Sequence, residues 1–91
     1  MLSGERANEV EDLLKEIMAR VLETSVENIT PETSTKTIET WDSLRHISLV
    51  LALEEAFTIK FSAGEIVEML SYNQILAKLR VHGVSERGAG T

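Results

Sequence analysis

The stretch Trp41-Asp42-Ser43-Leu44, followed by Arg45-His46-Ile47-Ser48-Leu49-Val50-Leu51-Ala52-Leu53-Glu54-Glu55-Ala56-Phe57, decides how this chain is read. It has the form of a helix and its start. Asp42 is a good N-cap, because its carboxylate can accept hydrogen bonds from first-turn amides that have no partner within the helix. Ser43 then falls at the first helical position, above the positive end of the helix dipole. A hydroxyl there is exposed and held in one orientation. The residues that follow carry no Gly or Pro and are rich in Leu, Ala and Glu, which favours helix over strand. At 100° per residue Leu49, Leu53, Ala56 and Phe57 make one apolar stripe, and Leu44, Ile47 and Leu51 make a second one nearer Ser43. Either both stripes are core, or one faces the core and the other is left for a partner or ligand.

Composition bounds the rest. Ninety-one residues make one small domain, and 43% apolar with 26% charged residues is an ordinary globular balance. The net charge of -6 argues against nucleic acid or an anionic membrane and for basic protein surfaces. With no cysteine there is neither a disulfide nor a thiolate of the chain's own. No apolar run approaches the roughly 20 residues that span a bilayer. Met1-Leu2-Ser3-Gly4-Glu5-Arg6 lacks the apolar core of a signal peptide, so a cytoplasmic monomer is expected.

In chain order, Val10, Leu13, Leu14, Ile17, Val21 and Leu22 recur at spacings of three and four, predicting a helix over about 5–22. Residues 23–41 form a long Thr- and Ser-rich connection with Val26, Ile29 and Ile38 as packing pegs and Pro31 as a stiffener. The central helix takes about 42–57. Ser62 with Glu65 reads as a capping box for a short helix over 62–70, with Ile66, Val67, Met69 and Leu70 on its apolar side. Ser71 with Gln74 starts a last helix over 72–80, packing through Ile75, Leu76 and Leu79. The reading is a single all-α domain over 1–81, a small four-helix bundle with a long loop between helices 1 and 2 and a short third helix. Residues 82–91, with three glycines and no periodicity, are expected to be a disordered tail.

Catalytic constellations are absent from the pattern. His46 and His82 are far apart, no cluster has metal-ligand spacing, and no Gly-rich phosphate loop occurs. Ser43 has no base beside it, since Asp42 as an N-cap points at backbone amides. Trp41 sits where a staple residue sits, facing His46, and anchors the loop. No catalytic or metal site is expected.

Asp42-Ser43-Leu44 at the head of a Leu-rich helix closing in Leu53-Glu54-Glu55-Ala56-Phe57 resembles the acyl carrier proteins. So do the acidic first helix, the long loop and the short third helix, and the resemblance covers about residues 5–81. It implies that Ser43, flanked by Asp42 and Leu44, receives 4′-phosphopantetheine from coenzyme A through a separate phosphopantetheinyl transferase. The thiol of that arm would carry acyl groups as thioesters between acyl-loading and acyl-processing enzymes. Such a chain needs no cysteine and no base of its own. The resemblance further implies an acyl pocket that includes Leu53, Phe57 and Ile66. It also implies a partner surface near Ser43, for which Trp41, Arg45, Ile47, Leu51 and Glu54 are the candidates.

The chain departs from the fatty-acid pattern in one respect. Arg45, Ser48 and Ala56 stand where acids are usual, leaving Glu54 and Glu55, and Trp41 replaces a small residue. Arg45 would therefore repel transferases adapted to acidic carriers. The expected role is an acyl carrier for fatty-acid, polyketide or specialised lipid synthesis. Asp42 before the serine favours it over a peptidyl or aminoacyl carrier. An unmodified helical interaction module, with Ser43 merely a cap residue, is the alternative of a different class.

Overall fold

The computed structural model describes residues 9–84. Among them are four α-helices: α1 (Glu9–Leu22), α2 (Ser43–Phe57), α3 (Ala63–Glu68) and α4 (Tyr72–Val81). A 3-10 turn, Val26–Asn28, interrupts the α1–α2 loop, and one isolated antiparallel bridge joins Ser34 to Ser71. The all-α bundle with a long first loop and a short third helix is the acyl-carrier arrangement. Residues 5–8 of the expected first helix and 85–91 of the expected tail lie outside the described residues.

Three helices start where side-chain oxygens at the right spacing can accept first-turn amides. Arg45 N donates to Asp42 Oδ1 at 2.9 Å at the head of α2. Ser62 and Glu65 form the reciprocal capping box of α3, with Glu65 N to Ser62 Oγ at 3.2 Å and Ser62 N to Glu65 Oε1 at 2.8 Å. The Ser62 amide is the main reason the Glu65 carboxyl lies below its ordinary pKa, with His82 adding to it. Gln74 N donates to Ser71 Oγ at 3.1 Å, while the Gln74 side chain accepts from Leu70 N at 3.1 Å.

Helix ends are set differently. Glu23 and Thr58, not glycines, hold the left-handed conformation after α1 and α2, with φ of 59° and 56°. After α4 it is Gly83, at φ +88°, and Val84 N closes onto Leu79 O at 2.9 Å while Gly83 N reaches Arg80 O at 3.0 Å. The chain beyond residue 81 is thus not a tail from its first residue. Val84 packs against the core, and half-buried His82 places Nε2 3.0 Å from both Glu65 carboxylate oxygens and its ring edge-on to Phe61. A helix cap and a histidine–carboxylate hydrogen bond, neither periodic, hold these three residues.

The core joins Leu14, Ile17, Met18 and Leu22 of α1, Leu49, Val50 and Leu53 of α2, and Tyr72, Ile75, Leu76 and Leu79 of α4, with Ile29, Trp41, Phe61 and Met69 from the connections. Burying these side chains is the main stabilising term. Several expected core positions turn out. Leu13 is 39% exposed and Val26 43%, so of the loop pegs only Ile29 is fully buried and Ile38 partly. Thr33 is buried instead, its hydroxyl donating to Asn28 O at 3.1 Å and accepting from Thr30 N at 2.8 Å. Helix α3 stops at Glu68 rather than at 70, because the next backbone is drawn into pairing with the loop: Thr35 N to Leu70 O at 3.0 Å and Tyr72 N to Thr33 O at 2.9 Å.

Candidate functional site

Ser43 is placed by the way the loop is tied back to the end of α1. The last four carbonyls of a helix have no partner inside it, and here each finds one. Thr24 N takes Ala19 O at 2.9 Å, and Glu23 N reaches Arg20 O at 3.4 Å. Arg45 Nη1 donates to Val21 O at 3.2 Å, and Thr40 Oγ1 donates to Leu22 O. Two of these four ties come from residues on either side of Trp41-Asp42-Ser43, so the head of α2 is held against the end of α1.

Trp41 completes the anchor. It is only 5% exposed, its amide donates to Ile38 O at 3.1 Å, and its indole Nε1–H donates to His46 Nδ1 at 3.1 Å. The other imidazole nitrogen, Nε2, lies 2.8 Å from Ile66 O. With Nδ1 accepting, Nε2 must be the donor, so the two bonds assign a neutral imidazole protonated at Nε2. The expected pairing of Trp41 with His46 is therefore present, as a hydrogen bond rather than an apolar staple, and it continues to α3. Burial leaves Trp41 little surface for a partner, and packing is the role its environment supports.

Ser43 itself is exposed at the first position of α2. A cavity of about 230 Å³ opens beside it, lined by Thr35, Trp41, Asp42, Ser43, His46 and Leu70. Asp42 Oδ1 accepts from Arg45 N as the helix cap, and both nitrogens of His46 are engaged, so His46 offers Ser43 no free nitrogen. Thr35 and Leu70 were not legible as site residues, because only the bridge between the loop and the chain before α4 brings them here.

The second stripe of α2 is outside the core: Leu44 is 77% exposed, Ile47 50% and Leu51 58%. Val67 and Leu70, expected on the buried side of α3, are also exposed. Arg45 is not a free charge on this surface. Its guanidinium lies 3.1 Å from Glu23 and against Val21 O, drawn towards the end of α1. Arg45→Asp would leave Val21 O unpaired and set a carboxylate beside Glu23 at the negative end of α1. It should destabilise by about 1–2 kcal/mol, lowering Tm by roughly 5–15 °C. Unchanged melting would show that the tie contributes nothing. The Glu54 carboxylate is likewise engaged internally, accepting from Phe61 N at 2.9 Å.

Leu53, Phe57 and Ile66 do not line the cavity at Ser43. Leu53 is fully buried in the core, Phe57 borders a separate cavity of about 500 Å³ near Ile59 and Val84, and Ile66 stands behind His46. A polar cavity of about 410 Å³ within the loop, walled by Glu23, Glu32, Glu39 and neighbouring threonines, shares no residue with the one at Ser43.

Comparison with curated proteins gave no match. A family model described as a phosphopantetheine attachment site matches residues 12–79, which takes in the long loop, all of α2 with Ser43 at its head, and α3, and the chain belongs to this family.

Proposed function

We propose that the chain is an acyl carrier protein and that Ser43 is its attachment point. Members of the family carry covalently bound 4′-phosphopantetheine, whose terminal thiol holds the cargo as a thioester. The observation that carries the assignment is the exposed hydroxyl at the first position of α2, opening onto its own cavity inside the matched region. The surroundings fit a phosphodiester. The amides of Ser43 and Leu44 precede the first helical bond, His46 N to Asp42 O at 2.9 Å, and a helix N-terminus favours an anion. Asp42 opposes this, but its carboxylate is already accepting the Arg45 amide.

With both nitrogens of His46 engaged and Asp42 serving as the helix cap, the proton leaving Ser43 is taken by the transferase, and the chain is a substrate rather than a catalyst. Leu44, Ile47 and Leu51 form the apolar surface on which the transferase and the acyl-loading and acyl-processing enzymes dock. On this reading the cargo is an acyl group of fatty-acid, polyketide or specialised lipid synthesis, and the place of work is the cytoplasm.

Incubation with coenzyme A, magnesium and a broad-specificity transferase should add the mass of one phosphopantetheine. No gain with any of several transferases would overturn the reading. Leu51→Asp should leave melting nearly unchanged, because this side chain is outside the core, and slow modification at least tenfold by putting a charge into the apolar contact. An unchanged rate would place the docking surface elsewhere.

A further inference from the structure

We propose that His46 is a specificity-determining residue for the cargo, a latch that closes the interior of the bundle to whatever is tethered at Ser43; this rests on the carrier reading above. The cavity at Ser43 holds only about 230 Å³, roughly eight water volumes at ~30 Å³ each, and four of its six lining residues are polar: Thr35, Asp42, Ser43 and His46, with Trp41 and Leu70 the apolar ones. The His46 ring forms one of its walls. That ring bridges the loop and α2 to α3, accepting from Trp41 Nε1–H and donating to the carbonyl of Ile66. A chain running from Ser43 between α2 and α3 into the bundle must therefore displace the imidazole that joins them.

The latch is held at both ends. Displacing it breaks the bond from Trp41 Nε1–H at 3.1 Å and the bond to Ile66 O at 2.8 Å. The indole donor would then be left in a side chain only 5% exposed, and a buried donor without a partner is costly. Because Trp41 is itself packed against the core, the imidazole cannot swing with its partner. A short or polar cargo needs no such displacement. The structure thus favours short or polar acyl groups that stay in the Ser43 cavity or in solvent, over long alkyl chains sheltered in the bundle.

The test loads the protein from four-carbon and twelve-carbon acyl coenzyme A thioesters, with one transferase, and checks each product by intact mass. Thermal melting and the Trp41 indole N–H resonance are then recorded for wild type, His46→Ala and His46→Gln. In wild type the two cargoes should give the same midpoint and leave the indole resonance in place. In His46→Ala the twelve-carbon form should melt several degrees above the four-carbon form. Gln, which keeps an N–H donor near Ile66 O, should restore the wild-type pattern. A wild-type midpoint that rises with chain length, with the indole resonance shifting, would overturn the latch. So would a folded His46→Ala that ignores chain length. If His46→Ala does not fold, the wild-type pair decides alone. Absence of any mass gain would instead be a failure of the carrier reading.

Discussion

Ser43→Ala should accept no phosphopantetheine under conditions that convert the wild type completely, and should melt within a few degrees of it. The proposal makes this hydroxyl the acceptor atom, so the expected loss is total, and no nearby hydroxyl is equivalent. Thr40 is committed to Leu22 O, and Thr35, though it lines the same cavity, sits in the loop and not on α2. The stability cost is small for the opposite reason. Ser43 is exposed, the cap bond belongs to Asp42, and alanine is the better helix former, so a change within about 0.5 kcal/mol is expected. Intact mass and a melting curve check both halves. Residual modification of the Ala variant would move the attachment site, and collapse of its fold would mean that Ser43 has a structural task not visible in its contacts.

Trp41→Ala should have the largest effect on stability. It removes a side chain that is 95% buried where the loop, α1, α2 and α3 are tied together, and truncations of this kind cost about 3–5 kcal/mol. It also strands His46 Nδ1 without its donor. For a domain whose total stability is of order 5–15 kcal/mol, that is a Tm drop of roughly 15 °C or more. Chemical denaturation followed by far-UV circular dichroism measures it. A cost below about 1 kcal/mol would mean that the indole fills no essential space and that the head of α2 is held by Arg45 and Thr40 alone.

The features legible in the sequence are those set by local spacing. Asp42, Ser62 and Ser71 each stand three residues before an amide they accept, so the starts of α2, α3 and α4 followed from short-range chemistry. The separation of two stripes on α2 was equally legible, but which one faced solvent was not. That depends on where α1 and α4 pack, and Val50, counted in neither stripe, turned out to be buried with Leu49 and Leu53. The loop was the least legible part. Thr33 is buried because two hydrogen bonds satisfy its hydroxyl, and no periodicity announces that.

Helix ends show the same contrast. Gly83 follows Lys78 and Arg80 as a helix-terminating glycine should, a signal that the glycine-rich composition of residues 82–91 obscured. Glu23 and Thr58 carried no such signal. At the proposed site, Ser43, Asp42 and Leu44 were singled out by the motif together with the helix and loop around it. The engagement of Arg45 with α1, the double bond of His46 and the presence of Thr35 and Leu70 in the cavity were not, since each joins residues far apart in the chain. These tertiary contacts convert a common Asp-Ser pair into a defined site.

The attachment point itself is settled most directly by locating the added mass. Trypsin cleaving after Lys36 and Arg45 releases residues 37–45, Thr37-Ile38-Glu39-Thr40-Trp41-Asp42-Ser43-Leu44-Arg45, with three hydroxyls in one peptide. After modification with coenzyme A, fragment ions of this peptide should carry phosphopantetheine on Ser43 and leave Thr37 and Thr40 unchanged. The mass found on either threonine, or on a peptide outside this segment, would contradict the account.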